Sequence, residues 1–224
     1  MVGGHHRLLR NMTPRGPSSN SDMEVDMDAV NTSRLSLRPV QLTDLEELYA
    51  LSRMPEVNLF NPSGPDRSID EARERLEDWL RDWETDGIGY CTARMLESDA
   101  YVGYVGLAAR TFRDERVLNL AYRIRPEFQG SGLVTEACRA LIEAARPRWS
   151  GHRIRVLTKQ DNTPSIAVAT RLGFTHAPDL DDTPDPGDIN LFLDLCRQEA
   201  RTGGSFSGGT RCAGVPDDDA SDKA

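Results

Sequence analysis

The chain has 224 residues, 28% of them charged and 38% apolar, with a formal net charge of −9 at pH 7. That length and balance describe one soluble globular domain with tails, and the acidic excess argues against a nucleic-acid partner, which needs a basic stripe to meet phosphates. The longest apolar runs, such as Tyr101 to Ala109, fall short of the about 18 residues a membrane span needs, and residues 1–33 lack an apolar signal core, so no membrane association and a cytoplasmic location are expected.

Residues 1–33 are rich in Gly, Ser, Asn, Met and Asp without a period and read as a disordered tail, and residues 197–224, with their glycine pairs and the Asp217 to Asp219 run, read as a second. The folded domain is expected over residues 34–196. Leu35 and Leu37 flank Ser36 in a short strand ended by Pro39. Thr43 to Glu46 carries a capping-box pattern opening a helix with Leu45, Leu48 and Tyr49 on its apolar face. Ser68 to Glu71 carries a second, for a longer helix whose Ile69, Ala72, Leu76, Trp79, Leu80 and Trp83 recur at helical spacing, with Gly87 as its stop. Strands follow over 90–95, 101–108 and 117–124. On the last of these Leu118, Leu120, Tyr122 and Ile124 share one face, opposite Val117, Asn119, Ala121 and Arg123. A glycine-rich turn over 129–132 then feeds a helix with Val134, Ala137, Leu141 and Ala145 inward. His152 to Thr158 reads as a strand. Thr163 and Pro164 read as a cap and a first-turn proline, with Gly173 as the matching stop. Ile189, Leu191, Leu193 and Leu195 share a face of the last strand. Consecutive strands imply an antiparallel meander, while the strand–helix–strand run from 117 to 158 demands a parallel crossover. The fold class expected is α/β (α+β), a mixed, mostly antiparallel twisted sheet flanked by helices.

Cys91, Cys138, Cys196 and Cys212 are scattered, without a zinc spacing, and His5 with His6 lacks further ligands, so no metal is expected. Basic charge is almost all arginine, with Lys159 and Lys223 the two lysines.

The most informative segment is Arg125 to Glu136, RPEFQGSGLVTE. A strand ends, glycines let the backbone turn, and a helix begins, so free N–H groups and the positive helix end converge as in a phosphate cradle. A tight strand–helix turn without a ligand has the same pattern. The segment lacks the Gly-Lys-Ser/Thr ending of a P-loop and the third glycine of the dinucleotide fingerprint.

The stretch from Leu120 to Ala137, which matches the pattern Q/R-x-x-G-x-G/A at Gln129 and Gly132, and the stretch from Gln160 to Phe174, containing an Asn-x-x-Ser helix that ends in Gly-Phe, together resemble the GNAT superfamily of N-acetyltransferases. They are most similar to the RimJ/RimL-type branch, which acetylates ribosomal-protein N-termini. The resemblance extends loosely from Leu35 to Leu195. It implies the GNAT fold, acetyl-CoA as the acyl donor, and a primary amine as acceptor, on a protein N-terminus or a small molecule. It further implies that Gln129 opens the pyrophosphate cradle, that Gly130, Ser131, Gly132, Leu133 and Val134 form it with backbone amides, and that Asn162 contacts the cofactor or braces the loop beneath it. Strand 117–124 would hold the pantetheine arm and polarise the thioester.

Three departures bear on the chemistry. Val134 stands where the motif prefers Gly or Ala, so its side chain must turn away from the donor. Asn119 stands where relatives often carry a glutamate base, and an amide takes no proton at neutral pH. Ala169 stands where many members place a tyrosine acid, leaving Ser165 as the catalytic hydroxyl nearest the expected thiol. Ser165 has a plain capping role as its alternative, and Glu136 reads as structural, a carboxylate in the first turn of the helix. Direct transfer in a ternary complex is expected, since no cysteine accompanies a histidine as an acyl-carrying pair. Two alternatives stay open: an acyl-CoA-binding sensor or scaffold of the same fold, and a nucleotide-binding regulatory domain. The five aspartates at 179, 181, 182, 185 and 188 form a loop that by resemblance borders the acceptor channel, or else a solvated acidic loop. The assembly state stays open, a homodimer among its outcomes.

Overall fold

A computed structural model describes residues 29–61, 63–181 and 185–196. Among them eight strands form a single sheet in the order β1-β2-β3-β4-β5-β6-β8-β7. The strands are β1 (Val30–Asn31), β2 (Leu35–Pro39), β3 (Tyr90–Met95), β4 (Tyr101–Phe112), β5 (Glu115–Ile124), β6 (Arg153–Lys159), β7 (Thr175–His176) and β8 (Asp188–Asp194). The helices are α1 (Leu45–Ser52), α2 (Ile69–Asp86), α3 (Leu133–Trp149) and α4 (Thr163–Arg171). Neighbouring strands run antiparallel except β5 and β6, which are parallel across the α3 crossover.

Strand alternation sends side chains to two apolar layers. On one face Tyr90, Tyr104 and Ala108 pack with Leu45, Leu48 and Leu51 of α1 and with Ala72, Leu76 and Trp79 of α2. Trp79 stacks against Tyr90 and Tyr104 at 4.5 and 4.7 Å between ring centroids. On the other face Val105, Leu107, Leu118, Leu120, Ile154 and Val156 pack with Leu133, Ala137, Cys138, Leu141, Ile142 and Ala145 of α3 and Ala169 of α4. No helix of the described residues is long and apolar enough to cross a membrane.

Several boundaries differ from those expected, each for a local reason. The sheet begins at Val30, because Val30 and Asn31 pair with Leu37 and Ser36 across a turn held by Thr32. Residues 1–28 and 197–224, expected as tails, lie outside the described residues. The β4–β5 hairpin runs on to Phe112 and Glu115 through a tip whose Arg113 and Asp114 both adopt positive φ (45° and 64°), as a two-residue hairpin turn requires. Its extension is held to the rest of the sheet by the Phe112–Phe192 ring contact and the Glu115–Arg153 ion pair. Helix α4 is capped by Asn162, whose Oδ1 accepts the Ser165 N–H, and Thr163 is its first residue rather than its cap. Ser68 caps α2 as expected, accepting the Glu71 N–H at 3.2 Å, but the Glu71 carboxylate takes the N–H of Arg67 instead of Ser68.

The α1 entrance shows what packing does to a capping pattern. Asp44, not Glu46, closes the turn, accepting the Gln41 N–H at 2.8 Å ahead of a 3-10 turn over Leu42–Asp44. The buried Asp44 carboxylate is also gripped by Arg38 from β2 at 2.8 and 2.5 Å and by the Thr92 hydroxyl from β3 at 2.7 Å. Burial alone would raise its pKa, but the hydrogen bonds from Arg38, Thr92 and Gln41 outweigh that and hold it below the ordinary carboxylate value.

Removing one partner of a buried ion pair leaves the other uncompensated, at a cost of about 3–5 kcal/mol. Arg38 keeps some exposure, so Asp44→Asn is expected to lower the unfolding free energy by about 3 kcal/mol in urea titrations. Because the folded-state pKa is depressed, the Asp44 contribution is complete above the ordinary carboxylate range and is lost as pH falls through the lowered value. Native protein should therefore lose stability at acid pH more steeply than Asp44→Asn.

Candidate functional site

The two parallel strands share ladder pairs at only two positions among the described residues, Leu118 with Ile154 and Asn119 with Arg155. Beyond them β5 continues to Ile124 against β4, and β6 continues to Lys159 against β8. Both remain strands while their facing edges part. Each strand then runs into a helix at this same end of the sheet, β5 into α3 and β6 into α4. The wedge between the strands therefore opens toward the N-termini of both helices, where backbone N–H groups lack intrahelical acceptors and the dipole is positive.

The glycine-rich turn forms one lip of this wedge. Gly130 and Gly132 adopt positive φ (72° and 81°), and Gly132 is the N-cap of α3. The helix makes its first backbone bond from Glu136 N–H to Gly132 O at 3.1 Å, so the amides of Leu133, Val134 and Thr135 lie before it. Gln129 folds back to donate to Ile124 O at 3.4 Å, and the Ser131 hydroxyl donates to Phe128 O at 2.5 Å. A Cβ added at Gly130 would meet nothing within 4 Å, and one at Gly132 would meet only Arg34 Nη2 at 3.7 Å. The turn is thus open to a ligand, and its glycines serve the backbone angle. Val134 is half-buried and packs against the core cluster under α3, and Leu133 is buried. The residues present fit a diphosphate group.

Glu136, expected as a dipole-complementing carboxylate, holds this lip in place by a different route. Its carboxylate accepts from Thr32 Oγ1 (2.6 Å), Ser33 Oγ (2.9 Å), the Arg34 N–H (2.9 Å) and Arg34 Nε (2.8 Å). Arg34 also donates from Nη1 to the Ser131 carbonyl at 3.0 Å. Burial would raise the Glu136 pKa, but the bonds from Thr32, Arg34 and Ser33 outweigh it and bring it to about 2. Arg34 escaped the sequence reading because nothing local links a residue before β2 to a turn about a hundred positions on.

The other lip carries Asn162 and Ser165. Asn162 caps α4 and donates from Nδ2 to Thr158 Oγ1 at 3.0 Å, so it braces the loop between β6 and α4. Ser165 Oγ lies 3.2 Å from the Tyr122 hydroxyl, which comes from β5 across the wedge. Alternation places Tyr122 on one face with Leu118, Leu120 and Ile124 and gives it no role. Its overlooked signal was the phenol, which needs a hydrogen-bond partner when buried. Asn119 lies on the face of β5 opposite Leu118 and Leu120, and β5 carries no carboxylate between Arg116 and Ile124.

The acidic loop before β8 is fastened to its own surroundings. Lys159 Nζ pairs with Asp188 at 2.8 Å and Asp185 at 3.3 Å. Asp181 takes the Asn190 N–H at 2.7 Å and the His176 Nε2 at 2.6 Å. Asp182 lies outside the described residues. Among the described residues no group of three His, Cys, Asp or Glu side chains is placed to hold a metal.

Residues 34–175 match the model of the Acetyltransferase (GNAT) domain. The chain is 26% identical over 149 residues to an uncharacterized N-acetyltransferase, p20, of Bacillus licheniformis, a match covering 66% of this chain and 83% of that protein. It is 33% identical over 116 residues to the putative ribosomal N-acetyltransferase YdaF of Bacillus subtilis (strain 168), covering 51% of this chain and 59% of that one. In fold it resembles an acetyltransferase from Agrobacterium tumefaciens str. C58, with a TM-score of 0.64 at 22% identity over 82% of this chain and 98% of that chain. It also resembles RimL, a ribosomal L7/L12 alpha-N-protein acetyltransferase solved in complex with coenzyme A, with a TM-score of 0.58 at 20% identity over 74% and 96%.

Hydrogen bonds to a charged group contribute about 1.5–3 kcal/mol, so Glu136→Gln is expected to lower the melting temperature by several degrees. The loss should vanish in acid, because the Glu136 contribution is present above the ordinary glutamate pKa and disappears as pH falls toward about 2. A chain beginning at residue 34 lacks Thr32 and Ser33 and should melt below one beginning at residue 29.

Proposed function

The chain belongs to the acetyltransferase (GNAT) family, and on that premise we propose that it moves the acetyl group of acetyl-CoA directly to a primary amine within a ternary complex. The observation that carries this reading is the wedge itself: two parted parallel strands whose mouth is lined by the free amides of α3 on one side and by Ser165 on the other. In this reading the amides of Gly130 to Val134 receive the donor's pyrophosphate, with Gln129 and Ser131 shaping the turn and Asn162 bracing the opposite lip. The open edge of β5 offers backbone groups to the pantetheine arm and an N–H to the thioester oxygen, a preorganised donor of the kind that stabilises a developing oxyanion. Ser165 gives its proton to the departing sulfur and takes up the one that the amine sheds, so the step balances.

The acceptor follows from what β5 lacks. With Asn119 in place of a carboxylate base, the amine must arrive largely neutral. A lysine ε-amine with a pKa near 10.4 is neutral in about one molecule in a thousand at pH 7.4, whereas an α-amine near 7.7–8.0 is neutral in roughly a quarter. The favoured acceptor is therefore an α-amine, as on a protein N-terminus, or another amine of low pKa. The likeness to proteins named as ribosomal N-acetyltransferases supports the same class. Lys159 pairs with Asp185 and Asp188, and Asp181 is engaged by His176 and Asn190, which offsets part of the charge that would draw in a polycation.

Acetyl-CoA is expected to raise the melting temperature, since it binds the native state alone. Gly132→Asp should abolish that shift by placing a carboxylate, in strained left-handed backbone, where phosphates approach. In a thiol-release assay an α-amine peptide should have a higher kcat/KM than a lysine peptide with a blocked N-terminus, and a polyamine should gain little at low salt. Preference for the blocked lysine peptide would overturn the acceptor class. A thermal shift without thiol release from any amine would instead make the protein an acyl-CoA sensor.

A further inference from the structure

Serine in the first turn of a helix commonly serves as a cap, but in α4 that role is taken by Asn162, which receives the Ser165 N–H at 3.3 Å. The Ser165 hydroxyl is thereby free of the backbone. Its one described partner is the Tyr122 hydroxyl at 3.2 Å. A serine hydroxyl has one proton and two acceptor lone pairs. The phenol is the stronger acid of the two, so it is the donor, and the Ser165 proton has no acceptor among the described residues.

Tyr122 is well placed for this and for little else. It stands on β5 three residues beyond the last pair with β6, where the strands have parted, on the face shared with Leu118 and Leu120. Its ring packs against the core beside α3, which fixes the direction of its hydroxyl. Burial pushes its pKa up to about 12, against a smaller lowering by the Ser165 bond, so at working pH it keeps its proton and remains a donor.

We propose that Tyr122 is a positioning residue for the leaving step: its hydroxyl occupies one lone pair of Ser165 Oγ and so turns the serine's own proton toward the departing sulfur. The proposal rests on the transferase reading above. In the step, the amine nitrogen bonds to the acetyl carbon and the carbon–sulfur bond breaks, its electron pair going to sulfur. Ser165 passes its proton to the sulfur and is restored by the proton the amine sheds. Tyr122 keeps its own proton throughout. The Asn162 cap and the Tyr122 bond thus hold Ser165 from two strands, the first fixing its backbone through β6 and Thr158, the second its side chain through β5.

The test is Tyr122→Phe, which keeps the ring and removes only the hydroxyl. Turnover should fall about tenfold, the weight of one hydrogen bond, while KM for acetyl-CoA stays within about twofold and the melting temperature holds. Two further readouts separate positioning from packing. With an acetyl thioester of an aromatic thiol, whose sulfur leaves without help, the defect should shrink to less than about twofold. In the double variant Tyr122→Phe with Ser165→Ala, turnover should match that of Ser165→Ala alone, since Tyr122 acts through the serine. Full turnover in Tyr122→Phe overturns the proposal, as do losses that multiply in the double variant or an undiminished defect with the aromatic thioester. Full turnover in Ser165→Ala also overturns it while leaving the transferase intact, whereas no thiol release by the native chain overturns the transferase reading itself.

Discussion

Parallel pairing between β5 and β6 stops after Asn119 and Arg155, and most of what the molecule offers a ligand depends on that stop. Backbone groups along two parted edges forgo ladder bonds, which is unfavourable unless water or a ligand supplies partners. The edges survive as strands because each is paired on its far side, β5 through ten register pairs with β4 and β6 through seven with β8. The sheet is therefore rigid on both flanks and open at its centre. The same parallel arrangement sends α3 and α4 away from one end of the sheet, so both positive helix termini face the opening without any further device.

Two carboxylates fasten the helical layers to this split sheet. Asp44 ties the entrance of α1 to β2 and β3, and Glu136 ties the entrance of α3 to the β1–β2 turn. Arg110 with Asp82 and Arg116 with Asp86 add links from the β4–β5 hairpin to α2 nearer the surface. Exposed pairs of this kind contribute little singly. The two carboxylates matter more, because each collects several donors in a buried or half-buried place and fixes where a helix begins.

Much of the fold was legible, since α2, α3 and β5 each carry a hydrophobic repeat and α4 carries a first-turn proline and a glycine stop. The elements that escaped were short or lacked a local signal. Two-residue β1 and β7 have no period to read, and the Arg113–Asp114 tip carries no glycine. At the α1 entrance a local pattern pointed to Thr43 and Glu46, but Arg38 and Thr92 recruit Asp44, and tertiary contacts decide between the two. At the site, the glycine turn stood out because glycines leave marks in sequence, whereas Asn162 and Ser165 were singled out by the family resemblance, the local pattern having put the cap at Thr163. Tyr122 and Arg34 did not stand out, because their roles depend on partners about forty and about a hundred positions away.

That long separation gives the Glu136 knot a temporal meaning. Arg34 and Glu136 lie 102 positions apart, and loop closure over such a span comes after local helices and hairpins have formed. As the chain emerges from the ribosome, β2 through β5 can assemble while the glycine turn still lacks the residues of α3 that pin it. The turn becomes rigid only when α3 docks and its first carboxylate reaches back to the earliest strand pair. Rigidity of the glycine turn is thus tied to the docking of α3, a closure that joins positions 102 residues apart.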